Sequence, residues 1–204
     1  MANEKTSLSE ILAWVALALG ILAVVGFGLW TELAPPPSPE LSAESAANLN
    51  RVVGLLGGSG ITAGQLSDDP ARLERAGDLL RQELAKNPES AEVHRLLGLH
   101  AMAAGEAPRA LESLERSEAL APRRLDTLLA TAAAHAELED LEAAEKVLRT
   151  AAEIYPRAPA VLHNLGQIVW LRGREAEAVE IYERKIELVR ARTTVGPEGT
   201  ASTP

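Results

Sequence analysis

Apolar residues recur at three- and four-residue steps along most of the chain, the spacing of helices with one buried face. Leu49, Val52, Val53 and Leu56 make such a stripe within 43–56, and Leu73, Ala76, Leu79, Leu80 and Leu84 make another within 70–86. Runs of β-branched residues with period-two alternation are absent, so the pattern predicts an all-α fold. Ser42 is placed to cap the first helix, and Gly57-Gly58-Ser59-Gly60 ends it. Asp69 is placed to cap the second, and Pro70 opens it with a fixed φ and no donor to lose. One segment is different in kind. Ile11 to Trp30 carries no charge at all, and at about 1.5 Å per residue it spans roughly 30 Å, the hydrocarbon thickness of a bilayer. Trp14 and Trp30 lie near its two ends, where amphipathic rings favour the interface. Pro35, Pro36, Pro37 and Pro39 then form a stiff spacer.

A longer period runs through the second half. Ala76, Ala110, Ala144 and Ala178 stand 34 residues apart, Leu80, Leu114, Leu148 and Tyr182 keep the same step, and so do Pro88, Pro122 and Pro156. This period belongs to stacked helix-turn-helix units. Three full units follow the register, 91–124, 125–158 and 159–192. Leu97-Gly98 and Leu165-Gly166 sit on the first helices of the outer two, with Thr131-Ala132 in the middle one. Gly98 and Gly166 are expected to admit a close second helix, Ala110 and Ala178 to meet it, and Leu114, Leu148 and Tyr182 to fill the gap to the next unit. The prolines end each unit, and Gly105 and Gly173 mark turns inside the first and third. The last unit has Arg190 where a proline would close it, so its helix is free to run on, with Glu183, Arg184, Lys185, Glu187 and Arg190 solvating the end of the array.

These residues resemble the tetratricopeptide repeat family, whose motif sets leucine–glycine, alanine, large apolar and proline points in a two-helix unit. The resemblance covers about half the chain tightly. It implies a short α-solenoid of about 3.5 repeats whose first helices line a concave groove for a peptide or helix. Carried onto this chain, that groove takes Arg95, Leu99 and Met102, then Leu129, Ala133 and Ala136, then His163, Gln167 and Trp170. Trp170 and Met102 are the anchor candidates, with packing of the inner layer as the alternative role. Some family members clamp the carboxylate tail of cytosolic chaperones; Leu99 and Ala130 stand where that clamp needs asparagine.

Composition removes several function classes. The formal net charge is −9, which disfavours nucleic acid and anionic lipid surfaces as partners. With no cysteine there is no disulfide and no thiolate metal site. His94, His100, His135 and His163 share no ligand spacing with an acidic residue, and no nucleophile–base arrangement or nucleotide loop stands out. No cofactor, no small-molecule substrate and no enzyme activity are expected. Glu137, Glu139, Asp140 and Glu142 read as a solvated acidic bend.

The organisation expected is a cytoplasmic tail (1–10), a transmembrane helix (11–30) and a proline-rich linker (31–41). A helix with a glycine-rich loop (42–70) forms a degenerate first unit, its helix 43–56 serving as partner to the half unit 71–90. The three full units complete the solenoid at 192, and a disordered tail (193–204) follows. Lys5 and the α-amino group precede the apolar run, and no Lys or Arg follows until Arg51. That bias leaves the N-terminus inside and the repeats outside a bacterial inner membrane. A cleaved signal peptide is the rival reading, although Thr31-Glu32-Leu33-Ala34 before the prolines makes a poor cleavage site. Ala13, Ala16, Gly20 and Ala23 share one helix face, either as a seat for another membrane helix or as residues common in such segments. The chain thus reads as a membrane-anchored adaptor or assembly factor for a protein client, or else as a permanent accessory subunit held through its membrane helix.

Overall fold

The computed structural model describes residues 41–57 and 66–194. The expected membrane helix 11–30 with Ala13, Ala16, Gly20 and Ala23, the prolines of the linker, and the glycines after Gly57 lie outside the described residues. Among the described residues no helix is long and apolar enough to cross a membrane, and all regular structure is helical. The helices are α1 (Ala43–Leu56), α2 (Pro70–Lys86), α3 (Ala91–Ala103), α4 (Ala107–Leu120), α5 (Leu125–Glu137), α6 (Leu141–Ile154), α7 (Pro159–Leu171) and α8 (Glu175–Thr194). The last runs two residues past the expected end of the repeats, because no proline interrupts it.

Four of the helices start at a side-chain cap. Ser42 accepts a hydrogen bond from the Ser45 N–H, Asp69 from Ala71, Ser90 from Val93 and Asp140 from Ala143. Helices pack as consecutive antiparallel pairs, and each pair leans on the next. The first helices α1, α3, α5 and α7 also touch in succession, so they form one continuous layer.

The close approaches follow the register. A Cβ on Gly98 would stand 2.6 Å from Leu114 Cγ, and one on Gly166 would stand 2.8 Å from the Tyr182 ring. Leu114 and Tyr182 therefore occupy the space that the glycine of their own unit leaves, and Leu114 and Leu148 also share core clusters with residues of the unit that follows each. Within-unit turns need a left-handed residue. Gly105 and Gly173 supply it at φ 74° and 77°, and Glu139 is held at φ 60° at the matching point of the middle unit. The acidic bend is thus a turn with two fixed roles, Glu139 in the left-handed region and Asp140 as the cap of α6.

The core is alanine, leucine and valine throughout. One cluster joins α1 to α5 through residues such as Val52, Leu80, Leu96, Leu114 and Ala134. A second joins α5 to α8 through Ala144, Leu148, Leu165 and Val169. Helices α1 and α2 form a pair despite the interval between them. Asn48 Nδ2 donates to Glu83 Oε1 at 2.7 Å inside that pair, and Arg72 Nη2 donates to the Gly54 carbonyl at 2.6 Å.

Candidate functional site

The layer of first helices is hollow along its middle. Alanine floors α5, so a groove of about 910 Å³ opens between α3, α5 and α7. It is lined by Leu99 and Arg95 from α3, by Leu125, Leu129, Ala130, Ala133 and Ala136 from α5, and by Ala160, His163, Asn164, Gln167 and Ile168 from α7. Seven of the nine residues expected there are brought together: Arg95, Leu99, Leu129, Ala133, Ala136, His163 and Gln167. Two are not. Met102 is 4% exposed and belongs to the core cluster that includes Ala130 and Ala134 of the following unit. Trp170 is half exposed but lies outside the lining. At these two points the register does not set the surface: Met102 packs in the core beside the following unit, and Trp170 stands exposed near the end of α7, although Ala136 between them in the register does line the groove.

Charges in the groove are largely spoken for. Arg95 is not a free handle, because its guanidinium pairs with Glu92 at 2.5 Å and with Asp126 at 3.2 Å. Arg124 joins the same group, 3.0 Å from Glu92 and 2.6 Å from Asp126. Two cations and two anions close one end of the groove as a neutral quartet. Burial pushes the Asp126 carboxyl up, and Arg124 and Arg95 outweigh it, holding it below its ordinary value. Arg124 precedes α5, while Glu92 and Asp126 occupy matching points of successive first helices. That acidic repetition with a nearby arginine was the signal available in the chain for this cluster.

The rest of the lining is polar, with fewer charges. His163 accepts at Nδ1 from Lys185 Nζ at 3.4 Å. Burial and the Lys185 charge push its pKa down, so the ring is neutral at neutral pH. Asn164 and Gln167 present carboxamides beside it, and Tyr155 contributes a ring whose hydroxyl donates to the Arg123 carbonyl at 2.7 Å. Glu137 adds a carboxylate, which desolvation pushes up. Asn164, Tyr155 and Glu137 carried no warning in the chain, because their register partners (Ala130, Ala121 and Ala103) are apolar.

The remaining histidines have local partners. His94 Nε2 lies 2.8 Å from the Pro88 carbonyl, and His100 Nε2 lies 2.9 Å from that of Leu73. His135 Nδ1 is 3.8 Å from Asp140. Among the described residues no group of His, Asp and Glu is arranged to hold a metal.

Models of the tetratricopeptide repeat match residues 71–124 and 125–168. The solenoid carries tetratricopeptide repeats. The matches stop at Ile168, and the α7–α8 pair continues the register beyond them. Solved structures agree at the level of fold. MamA is similar at 20% identity and a TM-score of 0.56, over 73% of this chain and 84% of its own. PilF of Pseudomonas aeruginosa is 24% identical with a TM-score of 0.60, over 72% of this chain and 61% of its own. A thermophilic tetratricopeptide repeat protein of Thermus thermophilus is 22% identical with a TM-score of 0.58, over 71% and 74%. No curated protein matches the chain.

Proposed function

We propose that this chain is an adaptor or assembly factor that holds a protein client at a bacterial inner membrane, with its repeats outside. The groove carries the reading. A floor of small apolar side chains with an aromatic and carboxamide rim suits a helix or extended peptide that inserts apolar side chains, and the internally neutralised quartet does not select for a charged ligand. The uncharged run 11–30 supplies the anchor, and the proline spacer sets the repeats off the surface. In this reading the protein has no enzymatic step, cofactor, nucleic acid or small-molecule substrate. Photo-crosslinkers at Ala133 and Gln167 of the full chain, in cells, are expected to trap one client, and Leu129→Arg to abolish the adduct. Equal trapping from Glu112 on α4 would refute the groove.

The small-residue face Ala13, Ala16, Gly20 and Ala23 favours a second reading, a permanent accessory subunit bound through its membrane helix. Deleting 42–204 separates the two: association survives only if the helix is the main contact. Gly20→Leu tests the same face and leaves the groove intact.

A further inference from the structure

Among the exposed charges of the last described helix pair runs an apolar stripe, where terminal repeats are ordinarily polar throughout. On α8, Val179 and Ile186 are each 47% exposed and Val189 is 43% exposed; Trp170 and Leu171 at the adjoining end of α7 are 49% and 64% exposed. The register explains why these points are bare. Val179 matches Leu111 and Glu145, which are wholly or partly buried in their units, and Trp170 matches Met102, buried against the following unit. Exposed apolar side chains gathered on the last helix pair of a solenoid suit an interaction site.

Charge identifies its occupant. From 175 to 183 the charged residues of α8 are all acidic, Glu175, Glu177, Glu180 and Glu183, and from 184 on they turn basic with Arg184, Lys185, Arg190 and Arg192 around a single Glu187. Val179, Ile186 and Val189 fall at heptad spacing on one stripe. A helix that is apolar along one stripe, acidic at its start and basic further on complements itself only when reversed. We propose that this face is the interface of a two-fold dimer in which α8 packs antiparallel against α8 of a second copy. Val179 of each copy then meets Val189 of the other, Ile186 lies beside the axis, and the acidic start of one helix faces the basic end of the other. Such an interface is isologous and closes on itself, so it ends in a dimer and not a filament. It uses a surface separate from the groove and stands or falls independently of the client reading.

The absence of cysteine makes the test clean. The full chain in detergent micelles is measured by light scattering and sedimentation. The wild type is expected at twice its 21.7 kDa protein mass, and Ile186→Glu at the single mass with an unchanged helical signal. Single-cysteine variants V179C and V189C are then oxidised alone and mixed. In an antiparallel pair, two copies of the same residue are about 15 Å apart along the helices, too far for a disulfide. The mixture is therefore expected to crosslink and each variant alone is not. A monomeric wild type at tens of micromolar overturns the proposal. So does a dimer that survives Ile186→Glu, as association through residues 1–40 would, and so does crosslinking of each variant with itself.

Discussion

At the N-terminal edge of the array α1 turns Ala46, Ala47, Asn50 and Arg51 outward, and no large apolar residue of α1 or α2 is fully exposed. At the C-terminal edge α7 and α8 expose five. The interiors differ in the opposite sense. The α1–α2 pair buries a carboxylate, Glu83, which accepts from Asn48 at 2.7 Å and Asn87 at 3.3 Å and lies 3.5 Å from Lys86 Nζ. Burial works against that charge, and Asn48, Ser45 and Lys86 outweigh it, so the carboxyl is held below its ordinary value. The α7–α8 pair is closed by apolar contacts, with Tyr182 against Gly166. A solenoid end can be finished by polar groups that make its last pair self-sufficient, or left apolar for something else to finish.

The widest separation between the ends should come from Asn48→Leu. It leaves a buried carboxylate short of its best donor and should cost about 3 kcal/mol, lowering the unfolding midpoint by roughly 10 °C. The double variant with Glu83→Leu should recover most of that loss. Circular dichroism melts of the three proteins decide it, and a neutral single variant would mean that the first pair does not depend on its polar pin.

Between the ends, Glu145 offers a test with pH. It is 4% exposed and bonded to Arg149, Arg172 and Arg174, the last two flanking the α7–α8 turn at Gly173. Burial pushes its carboxyl up from 4.5, but the three arginines outweigh that and hold it at about 2. The ionised form is thus favoured by folding. Its contribution is complete above the ordinary carboxylate pKa and is lost as pH falls from about 4.5 toward 2. Half-exposed arginines screen the gain, so about 2 kcal/mol is expected. Urea unfolding of Glu145→Gln should show that much less stability at pH 7 and a flatter acid profile than the wild type. Identical slopes would rule the cluster out as a source of pH dependence.

A smaller effect is expected at the middle turn. Glu139→Gly replaces a strained left-handed residue by the one found at both equivalent turns, and should stabilise by about 1 kcal/mol. The smallest belongs to the open end, where Val179→Ala should change monomer stability by less than about 0.5 kcal/mol. A larger loss at Val179 would mean that the exposed face is already covered within one chain.

Much of this architecture was legible in the chain because its spacing is physical. Glycine, alanine and leucine recur every 34 residues where two helices meet closely, which orders the units; the family resemblance, carried onto that order, brings seven of nine expected residues into the groove lining. Met102 and Trp170 escaped the same logic although Ala136 at the same register point obeyed it, because whether a side chain there packs inward or stays out depends on its size and its neighbours, which the register does not encode. The pin at Asn48 and Glu83 was invisible for a different reason. Polar residues within an apolar stripe do not announce their partners from 35 positions away. Glu139 is marked as a turn only by its register with Gly105 and Gly173, since its own residue type does not favour the left-handed region.

The alanines beneath the groove have one more consequence. Ala130, Ala133, Ala136 and Ala160 possess no rotamers, so nothing in that floor has to be frozen when a ligand arrives. The entropic cost of association then falls almost wholly on the guest, and a preorganised helix should bind far better than a floppy peptide of the same composition.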